Sequence, residues 1–129
     1  VGGYTVEALT RMGVGYLTIV DSDVVDITNL NRQIISLHSN LNDDKVLVAK
    51  KRCLDINPNI QVKAIKQFVN KDNIQEIFND NYDYIIDACD TITTKLLLIK
   101  EADKRKIKIN SIKGTCNKFE PTKIEINDI

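Results

Sequence analysis

Hydrophobic positions along the chain follow two alternating rhythms. Over residues 4–12, Val6, Leu9 and Met12 recur near the helical period, and Gly13 stops the run. Gly15 then opens the stretch Tyr16, Leu17, Thr18, Ile19, Val20, a short apolar run of the buried-strand kind that ends at Asp21. A polar stretch covers residues 22–42, long for a loop, and long loops in compact domains are usually functional. Asp43 or Asp44 stands ready to cap a helix with Val46, Ala49, Cys53 and Ile56 inward, which Asn57 and Pro58 close. Residues 60–65 read as a second strand. Asn70 then caps a short helix through Phe78, with Ile74, Ile77 and Phe78 inward. Tyr84, Ile85 and Ile86 form the next strand, ending at Asp87. A helix over residues 91–105 carries Leu96 to Ile99 and Ala102. Residues 107–112 and 122–126 read as two further strands, the last alternating like a half-exposed edge.

Strands separated by helices imply crossovers and a mainly parallel sheet. The expected architecture is one α/β domain of Rossmann type over residues 1–129, with helices flanking the sheet. Val1, Gly2 and Gly3 stand where a strand-to-helix turn closes, with no strand before them. The first strand is therefore expected to be missing, and the chain to be a piece of a longer protein. Ligands of such sheets sit beyond the carboxyl ends of the strands. Polar groups collect at those ends: residues 21–23, 87–90 and 113–117.

Composition narrows the function classes. Of 129 residues, 43% are hydrophobic and 28% charged, which excludes collagenous and disordered chains. Eighteen basic and eighteen acidic residues cancel, so any nucleic-acid contact is local or lies elsewhere. No apolar stretch approaches the roughly 18 residues that span a bilayer, so no membrane is expected. Cys53, Cys89 and Cys116 form no CxxC pair, and reduced thiols in a cytoplasmic setting are the simplest reading.

Each candidate for chemistry has a plainer role beside it. Gly2 and Gly3 precede a helix N-terminus, where free N–H groups favour phosphate, although ordinary tight turns look the same. Asp21 follows at about the spacing at which a strand-end carboxylate reaches a ribose in nucleotide-binding folds. Asp23 suits a metal, a ribose or a loop cap. Asn29, Asn31, Arg32 and Gln33 offer donors that match phosphate oxygens, but composition alone favours a solvated loop. Lys45 lies in the first turn of its helix, where a cation opposes the dipole by a few tenths of a kcal/mol or more. A phosphate there would reverse the sign, and Asp43 and Asp44 would offset the cost without one. Asp87 and Asp90 flank a strand end; Asp90 before Thr91 suits an N-cap or a Mg²⁺ ion held through water. His38 reads as a surface residue. Cys116 lacks a histidine partner for nucleophilic work, and Lys104, Arg105, Lys106 and Lys108 read as a solvated helix end.

Several of these stretches carry a family resemblance. Val1-Gly2-Gly3 looks like the close of a GxGGxG(S) turn. Gly13-Val14-Gly15 with Leu17-Thr18-Ile19-Val20-Asp21-Ser22-Asp23 resembles the strand of the ubiquitin-activating-enzyme-like adenylating family, of ThiF/MoeB/HesA type. Thr28-Asn29-Leu30-Asn31-Arg32-Gln33 is similar to its (S/T)NxNRQ motif. Lys45-Val46, Arg52 and Ile56-Asn57-Pro58 are similar to its helix, and Asp87-Ala88-Cys89-Asp90-Thr91 to its strand end. Within the family, Gly114-Thr115-Cys116-Asn117-Lys118-Phe119-Glu120-Pro121-Thr122 resembles a segment of the tRNA threonylcarbamoyladenosine dehydratase branch, with Thr115-Cys116 replacing the usual Ala-Gly.

The resemblance implies an ATP-dependent adenylating enzyme, with cofactors ATP and Mg²⁺. Asp21 would hold the ribose, and Gly2, Asp23 and Gln33 would line the nucleotide. Asn29, Arg32 and Lys45 would hold the triphosphate, and Asp90, beside Thr91, would organise Mg²⁺. Arg32, Lys45 and Asp90 are the implied catalytic set. The implied substrate is tRNA carrying threonylcarbamoyladenosine, whose carboxylate is adenylated and then cyclises. The implied assembly is a homodimer, with a sulfur-relay protein as a candidate partner. The alternative is an adenylyltransferase acting on the C-terminal Gly-Gly of a ubiquitin-like sulfur carrier. An NAD-binding oxidoreductase also fits the ribose carboxylate but leaves Arg32 and Lys45 without a task.

Overall fold

A computed structural model describes residues 1–112 of the chain. The strand expected at 122–126, the loop of Lys113 and Asn117, and Cys116 lie outside the described residues. Two compact units divide the chain, the first Val1–Asp83 and the second beginning at Tyr84. Each contains a pair of parallel strands joined through a helix, as the α/β pattern requires.

The first unit runs α1 (Gly2–Arg11), β1 (Tyr16–Val20), α2 (Lys45–Ile56), β2 (Gln61–Ile65) and α3 (Ile74–Ile77), with short 3₁₀ turns at Ile27–Asn29 and His38–Asn40. β1 and β2 pair in parallel, from Tyr16 opposite Gln61 to Val20 opposite Ile65. Cys53, Ile60 and Val62 form a core against which Val6, Leu17 and Ile19 pack. The buried Thr10 hydroxyl satisfies itself by donating to the Val6 carbonyl at 2.8 Å. Glu7 ties the first two helices together, accepting from Arg52 Nε at 2.6 Å and from Arg11 at 2.9 Å. Hydrogen bonds from Arg52 first, and then Arg11, hold the Glu7 carboxyl down at about 2.

Two details depart from the sequence pattern. Met12 is 79% exposed rather than on the inner face of α1. It stands past the last helical residue, and Gly13 at φ +85° turns the chain away, so the period runs one step too far. Asp44 occupies the N-cap position of α2 but makes no side-chain cap bond. Its carboxylate pairs with Lys66 at 2.5 Å instead.

The second unit holds β3 (Tyr84–Asp87), α4 (Ile92–Arg105) and β4 (Lys108–Ser111). β3 and β4 pair in parallel, from Tyr84 opposite Lys108 to Asp87 opposite Ser111. α4 buries Thr94, Glu101 and Ala102, whereas Leu96 is exposed. Four consecutive apolar residues sweep most of a helical turn, so the run from Leu96 to Ile99 cannot all face inward.

Candidate functional site

The carboxyl end of β1 is where the first unit gathers its chemistry. The Asp21 N–H still donates to the Ile65 carbonyl at 3.2 Å, so its side chain leaves at the edge of the ladder. Its Oδ1 accepts the Asp23 N–H at 2.9 Å, an Asx turn that bends the chain off the sheet. Its other oxygen accepts nothing from the described residues.

The loop that follows is fastened back on itself. Val24 bridges Asp44, the Val25 N–H donates to the Asp43 carbonyl at 2.8 Å, and the Asn42 N–H donates to the Val25 carbonyl at 2.9 Å. Asn42 takes the left-handed conformation, φ +69°, that asparagine tolerates better than most residues. Val25 is fully buried and anchors the fold of the loop.

This zipper brings the start of α2 to Asp23. The Lys45 N–H donates to the Asp23 carbonyl at 3.1 Å, and Lys45 Nζ lies 2.9 Å from Asp23 Oδ2. The lysine side chain is 10% exposed and the aspartate 63%. The cost of a cation at a helix N-terminus is thus met by an aspartate 22 residues earlier in sequence, not by Asp43 or Asp44.

Asp26 orders the next turn, accepting the Thr28 hydroxyl at 2.6 Å and its N–H at 2.8 Å. Those bonds, the hydroxyl first, hold the Asp26 carboxyl below its ordinary value, and Lys45 adds to the effect. Asn29 is buried, and its Oδ1 accepts the Asp26 N–H at 3.1 Å. The Asn29 amide nitrogen donates to none of the described residues. Arg32 is exposed and uses one guanidinium nitrogen, toward the Thr28 carbonyl at 2.7 Å and Asn31 Oδ1 at 3.0 Å. Gln33, half-buried, bonds through its N–H to the Asn29 carbonyl at 2.9 Å. The chain then packs on the start of α1, where a Cβ on Gly3 would meet Ile34 Cγ2 at 3.4 Å. The first turn of α1 at Gly2 and Gly3 has no side-chain cap, so its leading N–H groups have no partner within the helix.

In the second unit Asp90 is exposed and Thr91 is the N-cap residue of α4, with no side-chain cap bond. Asp87 is the centre of a sealed network. It accepts from Cys89 N at 3.0 Å, Cys89 Sγ at 2.8 Å, Lys95 Nζ at 3.1 Å and Ser111 Oγ at 2.5 Å. Burial works to raise its carboxyl, but these donors, led by the Cys89 thiol and the Ser111 hydroxyl, outweigh it and leave the group below the carboxylate range. Burial, and then the Asp87 carboxylate, push the Cys89 thiol up to about 11. Lys95 also donates to the Ile112 carbonyl at 2.7 Å. Lys95 and Ser111 escape a search for motifs. The readable signal was a lysine at helical spacing from Leu98, Ile99 and Ala102, on the face that meets the sheet.

The first unit therefore supplies open helix N–H groups, a strand-end carboxylate with a free oxygen, an ammonium and a guanidinium with unused donors. That is the donor and acceptor set of a phosphorylated nucleotide. No group of three or more His, Cys, Asp or Glu that could hold a metal occurs among the described residues. The lone exposed carboxylate of Asp90 fits only an ion held largely by water and phosphate oxygens. No described helix is long and apolar enough to cross a membrane.

The ThiF family model matches residues 1–121. The chain belongs to the ThiF family. Across its full length it is 46% identical to the tRNA threonylcarbamoyladenosine dehydratase of Bacillus subtilis (strain 168), over 51% of that protein. It also resembles the crystal structure of E. coli tRNA N6-threonylcarbamoyladenosine dehydratase, TcdA, in complex with ATP. That likeness has a TM-score of 0.93 and 37% identity, over 99% of this chain and 53% of that one. A sulfur carrier protein adenylyltransferase of Thermus thermophilus is 34% identical over 71% of this chain and 34% of its own length. This ThiF chain spans about half the length of the dehydratases it matches. Its Rossmann-like character, parallel strands with flanking helices, is the fold of those relatives.

Proposed function

We propose that this chain is the nucleotide-binding part of an ATP-dependent dehydratase that acts on threonylcarbamoyladenosine in tRNA. The observation that carries the reading is the cluster at the end of β1, where one aspartate joins a strand-end carboxylate to a buried ammonium. The full-length likeness to dehydratases supports it over a sulfur-carrier activator, whose likeness covers less of the chain. Asp21 is assigned to the ribose hydroxyls. Gly2 N–H, the Asn29 amide, Arg32, Gln33 and Lys45 are assigned to the phosphates. Asp90, beside Thr91, is assigned to Mg²⁺.

The chemistry needs little covalent work from the protein. ATP supplies a leaving group that a carboxylate lacks: the carboxylate attacks the α-phosphorus, pyrophosphate departs, and ring closure by the threonylcarbamoyl group releases AMP. Arg32 and Lys45 stabilise charge that grows on the phosphoryl oxygens. A homodimer, a cytoplasmic setting and a sulfur-relay partner belong to the same proposal.

Mass spectrometry of tRNA incubated with ATP and the full-length protein tests it. The modified adenosine should lose one water with stoichiometric AMP release. An unchanged nucleoside, with pyrophosphate exchange that depends on a small protein ending in Gly-Gly, would move the assignment to the sulfur-carrier activator.

A further inference from the structure

Asp23 makes three bonds that no other residue of the site combines. Its N–H donates to Asp21 Oδ1, its carbonyl accepts the Lys45 N–H, and its Oδ2 accepts from Lys45 Nζ. The first two are backbone bonds and survive any side-chain replacement. The third places a full negative charge on the ammonium that the proposed function assigns to phosphate. Lys45 is nearly enclosed while Asp23 faces solvent. A buried cation needs a counter-charge when no anion is bound, and the enclosed stem leaves that cation few other positions.

We infer that Asp23 is the resident counter-ion of Lys45, a positioning residue that competes with the polyphosphate instead of binding the nucleotide. Resting on the ATP reading above, this inference replaces the ribose or metal role for Asp23. The carboxylate keeps Lys45 aimed in the nucleotide-free state. An incoming phosphate oxygen then takes its place at Nζ, and Asp23, already exposed, is solvated at little cost. Asp23 thereby sets the affinity below what the bare cation would give, which favours product release.

The sign of one substitution separates the roles. Asp23→Asn retains the shape and both backbone bonds but removes the competing charge. Calorimetry with the full-length protein, using MgATP, ATP with EDTA, and adenosine as probes, should show ATP binding tightened about three- to fivefold with adenosine unchanged. The gain should shrink at high salt and largely vanish in a Lys45→Met background, because it acts through the ammonium. Thermal stability of the unliganded Asp23→Asn protein should fall, as the enclosed cation loses its partner. Weaker adenosine binding would overturn the inference in favour of a ribose contact. Weaker MgATP binding with ATP in EDTA unchanged would overturn it in favour of a metal ligand. If wild type binds no ATP, the functional reading fails and the inference falls with it; if wild type binds ATP but Asp23→Asn does not tighten it, only the inference falls.

Discussion

β3 ends in Asp87 and β1 runs out at Val20 into Asp21 and Asp23, and in both units a lysine of the following helix reaches a carboxylate at or just past the strand end. Physically the two pairs differ. Asp23 is 63% exposed and offers Lys45 one oxygen, while the Asp87 side chain is fully buried and receives donors from Cys89, Lys95 and Ser111. A carboxylate that water can reach exchanges partners cheaply. One saturated inside protein cannot be parted from its donors without leaving charges stranded. The first arrangement suits binding and release, and the second holds the ends of β3 and β4 in register.

The largest effect expected from this contrast is at Asp87. Asp87→Ala strands the Lys95 ammonium, whose side chain is 12% exposed, and should cost about 3–5 kcal/mol in urea unfolding. A loss below about 1 kcal/mol would erase the distinction between the pairs. Because the Asp87 carboxyl sits below its ordinary value, its contribution is present above the unfolded value near 3.8 and is lost as pH falls through the folded one.

Next comes Lys45→Met. Only the solvent-facing Asp23 is left behind, so stability should change far less than for Asp87→Ala, while AMP release should drop about 10²–10³-fold. Equal losses of stability at the two sites would break the comparison from the other side.

A smaller, pH-dependent effect belongs to Glu7. Its carboxyl is lowered from 4.5 to about 2, so the stability it adds is complete above 4.5 and disappears as pH falls toward 2. Acid titration followed by circular dichroism should show Glu7→Gln already lacking that increment at neutral pH, and losing less than wild type between those values.

The smallest effect concerns reactivity. With the Cys89 thiol at about 11, roughly one Cys89 thiol in a thousand is ionised at pH 8, and its alkylation in the native protein, read by peptide mass spectrometry apart from Cys53 and Cys116, should be correspondingly slow. Asp87→Asn, by removing the adjacent charge, should speed it. Fast labelling at Cys89 itself in wild type would mean that the network is open.

Much of this was legible along the chain. The strand Tyr16–Val20 matches its apolar run because Gly15 and Asp21 bound it unambiguously, and the inward faces of α2 and α3 follow from helical spacing. Met12 was misplaced, and the apolar run from Leu96 to Ile99 left its inward face open, because periodicity reports which residues are apolar, not where a helix stops or which part of its circumference meets the sheet.

Sequence alone determined the alternation of strands and helices, the polar strand ends, and the residue types that mark the ThiF family, because these are local or motif-borne properties. Tertiary structure decided which charges meet. Lys45 meets Asp23 and not its neighbours Asp43 and Asp44, and Ser111 meets Asp87, because segments more than twenty residues apart are brought within a few ångströms by backbone pairing. Coulombic and hydrogen-bond energies depend on those distances and on burial, neither of which a linear sequence contains.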